Sequence, residues 1–118
     1  MKNLAPNLMR QRLLIEGFYS IEVNEETIKE YFRKLCEKLN LRFYAEPIVF
    51  SPAGMGKSDN QGYDAFVPLI DSGISAYVWT KEKFLSVVIY TCKSFDREAA
   101  LKATQDFFAM KSIEHMAF

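Results

Sequence analysis

Apolar residues in the first third of the chain change from a strand-like run to helical spacing. Residues 12–22 favour a strand, in which Gly17 is a candidate bulge. Asn24 can then cap a helix, because its side chain suits the N-cap position and two acidic residues follow it. The pattern predicts an amphipathic first helix with one apolar stripe, made of Ile28, Phe32, Leu35 and Leu39.

The middle of the chain has the pattern of several strands. Residues 41–46 alternate between apolar and polar side chains, and Pro47 favours a bend or a sheet edge after them. The glycine-rich stretch 51–62 predicts a mobile surface loop. Three further strands are predicted at 63–70, 74–79 and 84–91, with turns at 71–73 and 80–83.

A second helix and a closing strand complete the predicted order. Asp96 can cap a helix that runs to about Met110, and residues 112–118 alternate. Two helices cannot cover both faces of such a sheet, so we expect an α+β fold: a two-layer sandwich with a mainly antiparallel sheet and both helices on one face. The other face is then exposed or paired with a second copy. The length of 118 residues predicts a single domain, 1–118.

Composition excludes several classes of protein. A hydrophobic fraction of 49% excludes a disordered chain, and 15 basic residues cancel 15 acidic ones, which argues against nucleic-acid binding. Two cysteines and one histidine cannot by themselves complete a zinc site, so no metal is expected. The sequence has neither an apolar leader nor a membrane-spanning run, and its thiols read as reduced. We therefore expect a cytoplasmic protein without a membrane partner.

The stretch 53–58, Ala-Gly-Met-Gly-Lys-Ser, invites interpretation as a nucleotide-binding loop. A P-loop requires glycine four residues before its Gly-Lys pair, but that position is Ser51. The residues after Ser58 cannot start a long helix. A flexible loop is the better interpretation.

A family resemblance lies in the second half of the chain. The segment 70–81, Ile-Asp-Ser-Gly-Ile-Ser-Ala-Tyr-Val-Trp-Thr-Lys, leads into Val-Val-Ile-Tyr-Thr-Cys at 87–92. This resembles the core signature of the prokaryotic S-adenosylmethionine decarboxylases, in which Glu-Ser is followed by Ile-His-Thr-Trp-Pro-Glu and then by Phe-Thr-Cys. Residues 13–19 and the Phe-Ser-Pro at 50–52 also resemble the family, whereas 53–63 looks like an insertion.

The resemblance implies pyruvoyl-dependent decarboxylation in the polyamine (spermidine) pathway. In the family, the serine attacks the preceding peptide carbonyl, the resulting ester eliminates, and the cut chain keeps a pyruvoyl group that acts as electron sink. Carried over, Ser72 is the pyruvoyl precursor and Cys92 the proton donor, while Phe50 stacks on the adenine of the substrate. The implied partners are an S-adenosylmethionine-like ligand and a second copy of the chain in a homodimer.

Several departures from the family change this expectation. Tyr77 stands where the family has the histidine that assists elimination, and a phenol, whose pKa is ordinarily near 10, is a poor base at neutral pH. Lys81 replaces the substrate-binding glutamate and reverses its charge, and a processing serine aligns with Asp64. The early strand histidine becomes Arg12. We therefore expect slow or no self-cleavage, and hence no cofactor.

Each candidate also has a structural interpretation. Ser72 lies in Asp-Ser-Gly, a sequence of turn formers, and Cys92 ends an apolar strand, where an inert buried thiol is usual. Tyr77 and Trp79 share one strand face, where aromatic residues usually fill a core; alternatively they line a pocket, with Trp79 contacting substrate.

Three functions remain open from the sequence. The first is an unprocessed, weakly catalytic or non-catalytic homologue that binds a ligand or regulates. The second is a working pyruvoyl enzyme acting on S-adenosylmethionine or a related amino acid. The third is an interaction module that dimerises through its sheet.

Overall fold

The computed structural model describes residues 1–51 and 61–118, and the P-loop candidate lies outside these residues. Both helices and the other predicted strands are found in the predicted order, but the second strand is Ile48–Phe50 and not 41–46. The elements are β1 (Gln11–Phe18), α1 (Glu25–Leu39), β2 (Ile48–Phe50), β3 (Gly62–Leu69), β4 (Ser72–Trp79), β5 (Phe84–Thr91), α2 (Arg97–Phe108) and β6 (Ser112–Ala117).

Local capping fixes both ends of α1. The Asn24 side chain accepts a hydrogen bond from the Thr27 backbone N–H at 3.0 Å, and the Thr27 hydroxyl accepts one from the Asn24 N–H at 3.1 Å. This reciprocal pair satisfies two backbone donors that the helix leaves free. Asn40 ends the helix in the left-handed conformation, with φ at 56°. Asp96 caps α2 with a single hydrogen bond, which its side chain accepts from Ala99 N–H at 3.2 Å.

All strands pair antiparallel in one sheet, in the order β2-β3-β4-β5-β1-β6. Two hairpins join β3 to β4 and β4 to β5, and β1, the first strand of the chain, lies between β5 and the last strand, β6. The two-layer α+β architecture expected from the sequence is therefore confirmed.

Both helices bury their apolar stripes against one face of the sheet. The buried cluster joins Phe32 and Leu35 of α1 to Phe108 of α2 and to alternate residues of the central strands. At its centre the rings of Tyr31 and Phe108 meet edge to face, 4.7 Å between centroids. The Tyr31 hydroxyl and the Thr104 hydroxyl share a hydrogen bond of 2.8 Å, which satisfies two polar groups buried among apolar side chains.

Three predicted features of the strands are wrong. Residues 41–46 form no strand, and their only β-type pairing in the described chain is a bridge between Phe43 and Leu69. Their alternation reflects the partial burial of Leu41 and Phe43 rather than strand pairing. The first strand ends at Phe18, where its partner strand begins at Phe84. Gly17 is regularly paired, and glycine is required because a Cβ would lie 2.1 Å from the Ser112 carbonyl oxygen.

The face of the sheet opposite the helices carries large exposed side chains, and we call it the open face. Residues paired across antiparallel strands point to the same side, so each register line defines a row. One row, Ile48–Phe66–Ser75–Val88–Leu14–Met116, is apolar except for its serine. A neighbouring row is mixed and runs Phe50–Asp64–Tyr77–Ser86–Glu16–Glu114.

The helices of the described residues 1–51 and 61–118 include none that is both long enough and apolar enough to span a bilayer.

Candidate functional site

Ser72 is the first residue of β4, directly after the tight turn that connects β3 to β4. The turn consists of Ile70 and Asp71, since Leu69 and Ser72 pair with each other. The predicted turn at 71–73 is therefore one residue too late, and both Ser72 and Gly73 belong to the strand. Asp71 has φ at 54°, a left-handed conformation that is uncommon for residues other than glycine. The peptide bond before Ser72 is thus part of a constrained turn.

Cys92 makes hydrogen bonds with the Ser72 hydroxyl. The backbone N–H of Cys92 donates to Ser72 Oγ at 2.9 Å, and Ser72 Oγ donates to Cys92 Sγ at 3.5 Å. The thiol in turn donates to the Ile70 carbonyl at 3.5 Å. Two residues that lie 20 apart in sequence are adjacent here because β4 and β5 are antiparallel neighbours, with Gly73 opposite Tyr90.

Two cavities flank Ser72. One, of about 360 Å³, is lined by Asn40, Arg42, Lys93 and both Ser72 and Cys92. The Lys93 ammonium donates to the Asn40 carbonyl at 2.8 Å, which ties this cavity to the end of α1. These cationic lining residues were not among the residues predicted from the sequence. Lys93 directly follows Cys92 and could have been suspected, whereas Arg42 is brought there only by the chain reversal after α1.

The second cavity lies on the open face and has a volume of about 350 Å³. Phe66, Gly73 and Tyr90 line it together with Ser72. A Cβ on Gly73 would lie 2.6 Å from the Phe66 ring, so the absence of a side chain there lets the phenyl group pack across the strand. Ser72 therefore borders a cavity on the open face, the side on which exposed aromatic residues could contact a ligand. Its side chain alternates with Gly73 and belongs to the row of Leu69 on the helix side.

The remaining predicted site residues lie elsewhere on the same sheet. Tyr77 is five residues beyond Ser72 along β4, roughly 17 Å at the rise of an extended strand. Trp79 is at the far end of that strand, and Lys81 is in the following turn. Phe50, in β2, pairs with Asp64, which pairs with Tyr77. The structure thus brings Ser72 and Cys92 together, and groups Phe50 with Tyr77 at a distance from them.

The aromatic members of this second group do not fill the core. Tyr77 is 39% exposed, Trp79 37% and Phe50 63%, and all three lie on the open face. The interpretation of Tyr77 and Trp79 as core residues is therefore wrong. Their burial was expected because strand aromatics usually face a core, but this sheet has helices on one side only.

Comparisons with known proteins found a family and a similar fold. The family model described as S-adenosylmethionine decarboxylase matches residues 16–118. The chain belongs to this family. The crystal structure of the adenosylmethionine decarboxylase from Aquifex aeolicus superimposes with a TM-score of 0.70 at 19% sequence identity, covering 94% of this chain and 89% of that chain. At this identity the likeness shows the fold. No curated protein matches the sequence significantly.

The two cysteines of this family member have opposite environments. Cys36 is 3% exposed in α1, and burial raises the pKa of its thiol to about 12. Cys92 is exposed beside Ser72, so the expectation of a buried, inert thiol at position 92 is wrong. It directly follows Thr91, the last residue of β5, and its side chain is exposed there.

These environments predict that only one thiol reacts in the folded protein. An aromatic disulfide reagent at pH 8 should label Cys92 quickly and Cys36 only when the protein unfolds, because the thiolate is the reactive form and a pKa of about 12 leaves about one thiol in 10⁴ ionised. Counting the released chromophore with and without denaturant checks this. Cys92→Ser should remove the fast phase, and two fast equivalents in the native wild type would contradict the assignment.

The described residues around Ser72 do not suit formation of a pyruvoyl group within one chain. Elimination after an acyl shift needs a base, and no histidine or carboxylate in the described ranges 1–51 and 61–118 accepts a hydrogen bond from Ser72. Within residues 1–51 and 61–118, no cluster of three or more histidine, cysteine or acidic side chains could hold a metal ion instead. We therefore derive no reaction step through a pyruvoyl group in this chain.

Proposed function

We propose that this member of the S-adenosylmethionine decarboxylase family does not cleave itself and acts as a ligand-binding or regulatory homologue in polyamine metabolism. The observation that carries the proposal is the pairing of Ser72 with Cys92, while no histidine or carboxylate of residues 1–51 and 61–118 accepts a hydrogen bond from Ser72. The precursor serine and the proton-donor thiol are in contact, but the position that the family gives to histidine holds Tyr77. The chain therefore keeps the contact between the serine and the thiol and lacks the histidine.

The ligand we propose is S-adenosylmethionine or a molecule of the same shape. Exposed aromatic rings on the open face, at Phe50 and Trp79, offer flat surfaces for an adenine. The cavities beside Ser72 are each large enough for part of such a ligand. The cytoplasm is the compartment that this proposal implies, and the two free thiols are compatible with it.

Denaturing mass spectrometry of the purified wild type, followed by calorimetric titration with S-adenosylmethionine, tests the proposal. We expect one chain of 13.7 kDa and saturable binding without release of carbon dioxide. Phe50→Ala should weaken binding about tenfold, the effect of losing an aromatic stacking contact of about 1–1.5 kcal/mol. Tyr44→Ala, which removes an exposed ring outside the strands, is the matched control.

Each other outcome points to a different function. Quantitative fragments 1–71 and 72–118 would make the chain a processed enzyme and end the proposal. An intact chain that binds no S-adenosylmethionine would favour the interaction module.

We further propose that two copies of the chain pair through their open faces. Ser72 and Tyr77 are about 17 Å apart on one strand, so a site that needs both positions needs a second chain. The apolar row through Phe66 and Val88 supplies the surface for this contact. A stable interface needs roughly 800 Å² from each partner, which a six-stranded face rich in aromatic residues can offer.

The dimer can be tested by placing one charge on the open face. We expect the wild type to have twice the 13.7 kDa chain mass in light scattering, and Phe66→Asp to be monomeric, because the carboxylate would be buried without a partner. Gln105→Glu adds the same charge on the exposed surface of α2 and should leave the dimer intact. A monomeric wild type at high concentration would contradict the proposal.

A further inference from the structure

The N-terminal segment forms a cavity that takes no part in the site described above. Residues 1–10 and the beginning of β1 enclose about 230 Å³, lined by apolar side chains together with Asn3, Arg10 and Arg12. All of these residues precede position 16, where the match to the family begins. The cavity is therefore built from residues outside the matched range, and Arg12 stands at a position where the family resemblance has a histidine.

Two arginines line this cavity, and no acidic side chain does. Within residues 1–51 and 61–118, no carboxylate lies within ion-pair distance of either guanidinium. Arg10 is held in place, since it donates to Asn3 Oδ1 at 2.6 Å and to the Ala5 carbonyl at 3.3 Å. Two like charges that face one cavity repel each other unless a group of opposite charge lies between them.

Arg12 has a donor without an acceptor. Its Nε is buried and has no hydrogen-bond partner in the part of the chain that the structure describes. The face of its guanidinium lies 5.5 Å from the centroid of the Phe118 ring, a cation–π contact that leaves the donors at the edge of the plane free. A buried donor on a charged group is costly when it has no partner. Water could accept this hydrogen bond but could not neutralise the two charges.

We propose that this cavity binds a small oxoanion, a phosphate or carboxylate group, between Arg10 and Arg12. Planar guanidinium groups suit this ligand because two parallel N–H donors match two oxygens of a phosphate or carboxylate. The site is two strands away from Gly73 in the row Gly73–Tyr90–Arg12, about 10 Å at the usual strand spacing. An anion bound there is a neighbour of the Ser72 cavity on the open face without being part of it.

Nuclear magnetic resonance of arginine side chains tests the proposal directly on the full chain. Sodium phosphate and sodium acetate are titrated in separate arms, with ionic strength held constant by sodium chloride. We expect the Arg12 Nε–H resonance to shift with saturation in at least one arm, and the arm with tighter binding identifies the oxoanion. Arg10→Gln should weaken binding at least tenfold, and Asn3→Ala, which releases the Arg10 side chain, should weaken it in the same direction.

The controls separate a built site from general salt effects. Arg33→Gln removes a cation from the exposed side of α1, and it should leave the anion affinity unchanged. The far-ultraviolet circular dichroism spectrum verifies that each variant is folded. A resonance that responds to chloride as strongly as to both oxoanions would overturn the proposal, as would an Arg10→Gln variant that binds like the wild type.

Discussion

Replacing Tyr77 with histidine is expected to raise the rate of chain cleavage at the Asp71–Ser72 bond by roughly 10²- to 10⁴-fold, the usual contribution of a positioned general base. The hydroxyl that would attack and the thiol that would donate a proton are already in contact, so the base is the part that the site lacks. The constrained turn at Asp71, with φ at 54°, also lies next to the bond that would break.

A time course of denaturing mass spectra at neutral pH measures this effect. The wild type should stay intact while Tyr77→His accumulates fragments 1–71 and 72–118, the second of which should react with a ketone-specific hydrazide. Tyr77→Phe is the matched control, since it changes the same ring without adding a base. The double variant Ser72→Ala, Tyr77→His should not be cut. If Tyr77→His is as stable as Tyr77→Phe, the missing base does not explain the intact chain.

The sequence predicts the helices well because their signals are local. Asn24 and its reciprocal partner Thr27 lie within one turn of each other, and the apolar stripe of α1 repeats every three or four residues. The long strands were also predictable from alternation. The strand β2 was not predictable, because it is three residues long with Ile48 and Phe50 exposed, and because its pairing with β3 is a long-range contact.

The candidate site was predictable only in part. The structure brings Ser72 against Cys92, two residues that the resemblance assigned to one site, and no local pattern reveals this contact between separate strands. The distance of about 17 Å between Ser72 and Tyr77 did not follow from the sequence, because Ser72 was predicted to lie in a turn and not in the strand. The exposure of Tyr77 and Trp79 did not follow from the sequence either, because alternation cannot tell which face of a strand the helices cover. The arginine cavity was also missed, since residues 1–10 have no periodic pattern.

The second large effect is the cleavage expected in mixed dimers. These dimers test whether one chain supplies the base that acts on the serine of the other. One chain carries Ser72→Ala and Tyr77→His, so it offers an imidazole and cannot be cut. The other is a tagged wild type, which has the serine and lacks the base. If the two open faces pair, equal mixing should make about half of the wild-type chains cleavable, namely those in mixed dimers.

The expected result is that the tagged wild type is cut only after mixing, at a rate similar to that of Tyr77→His alone. The physical reason is the separation of about 17 Å within one chain, which a histidine side chain cannot bridge but a facing sheet can. Adding Phe66→Asp to both chains should abolish the cleavage by separating them, whereas Gln105→Glu should not. If Tyr77→His is cut by itself while the mixed wild type stays intact, the base and the serine act within one chain, and a site shared between two chains is excluded.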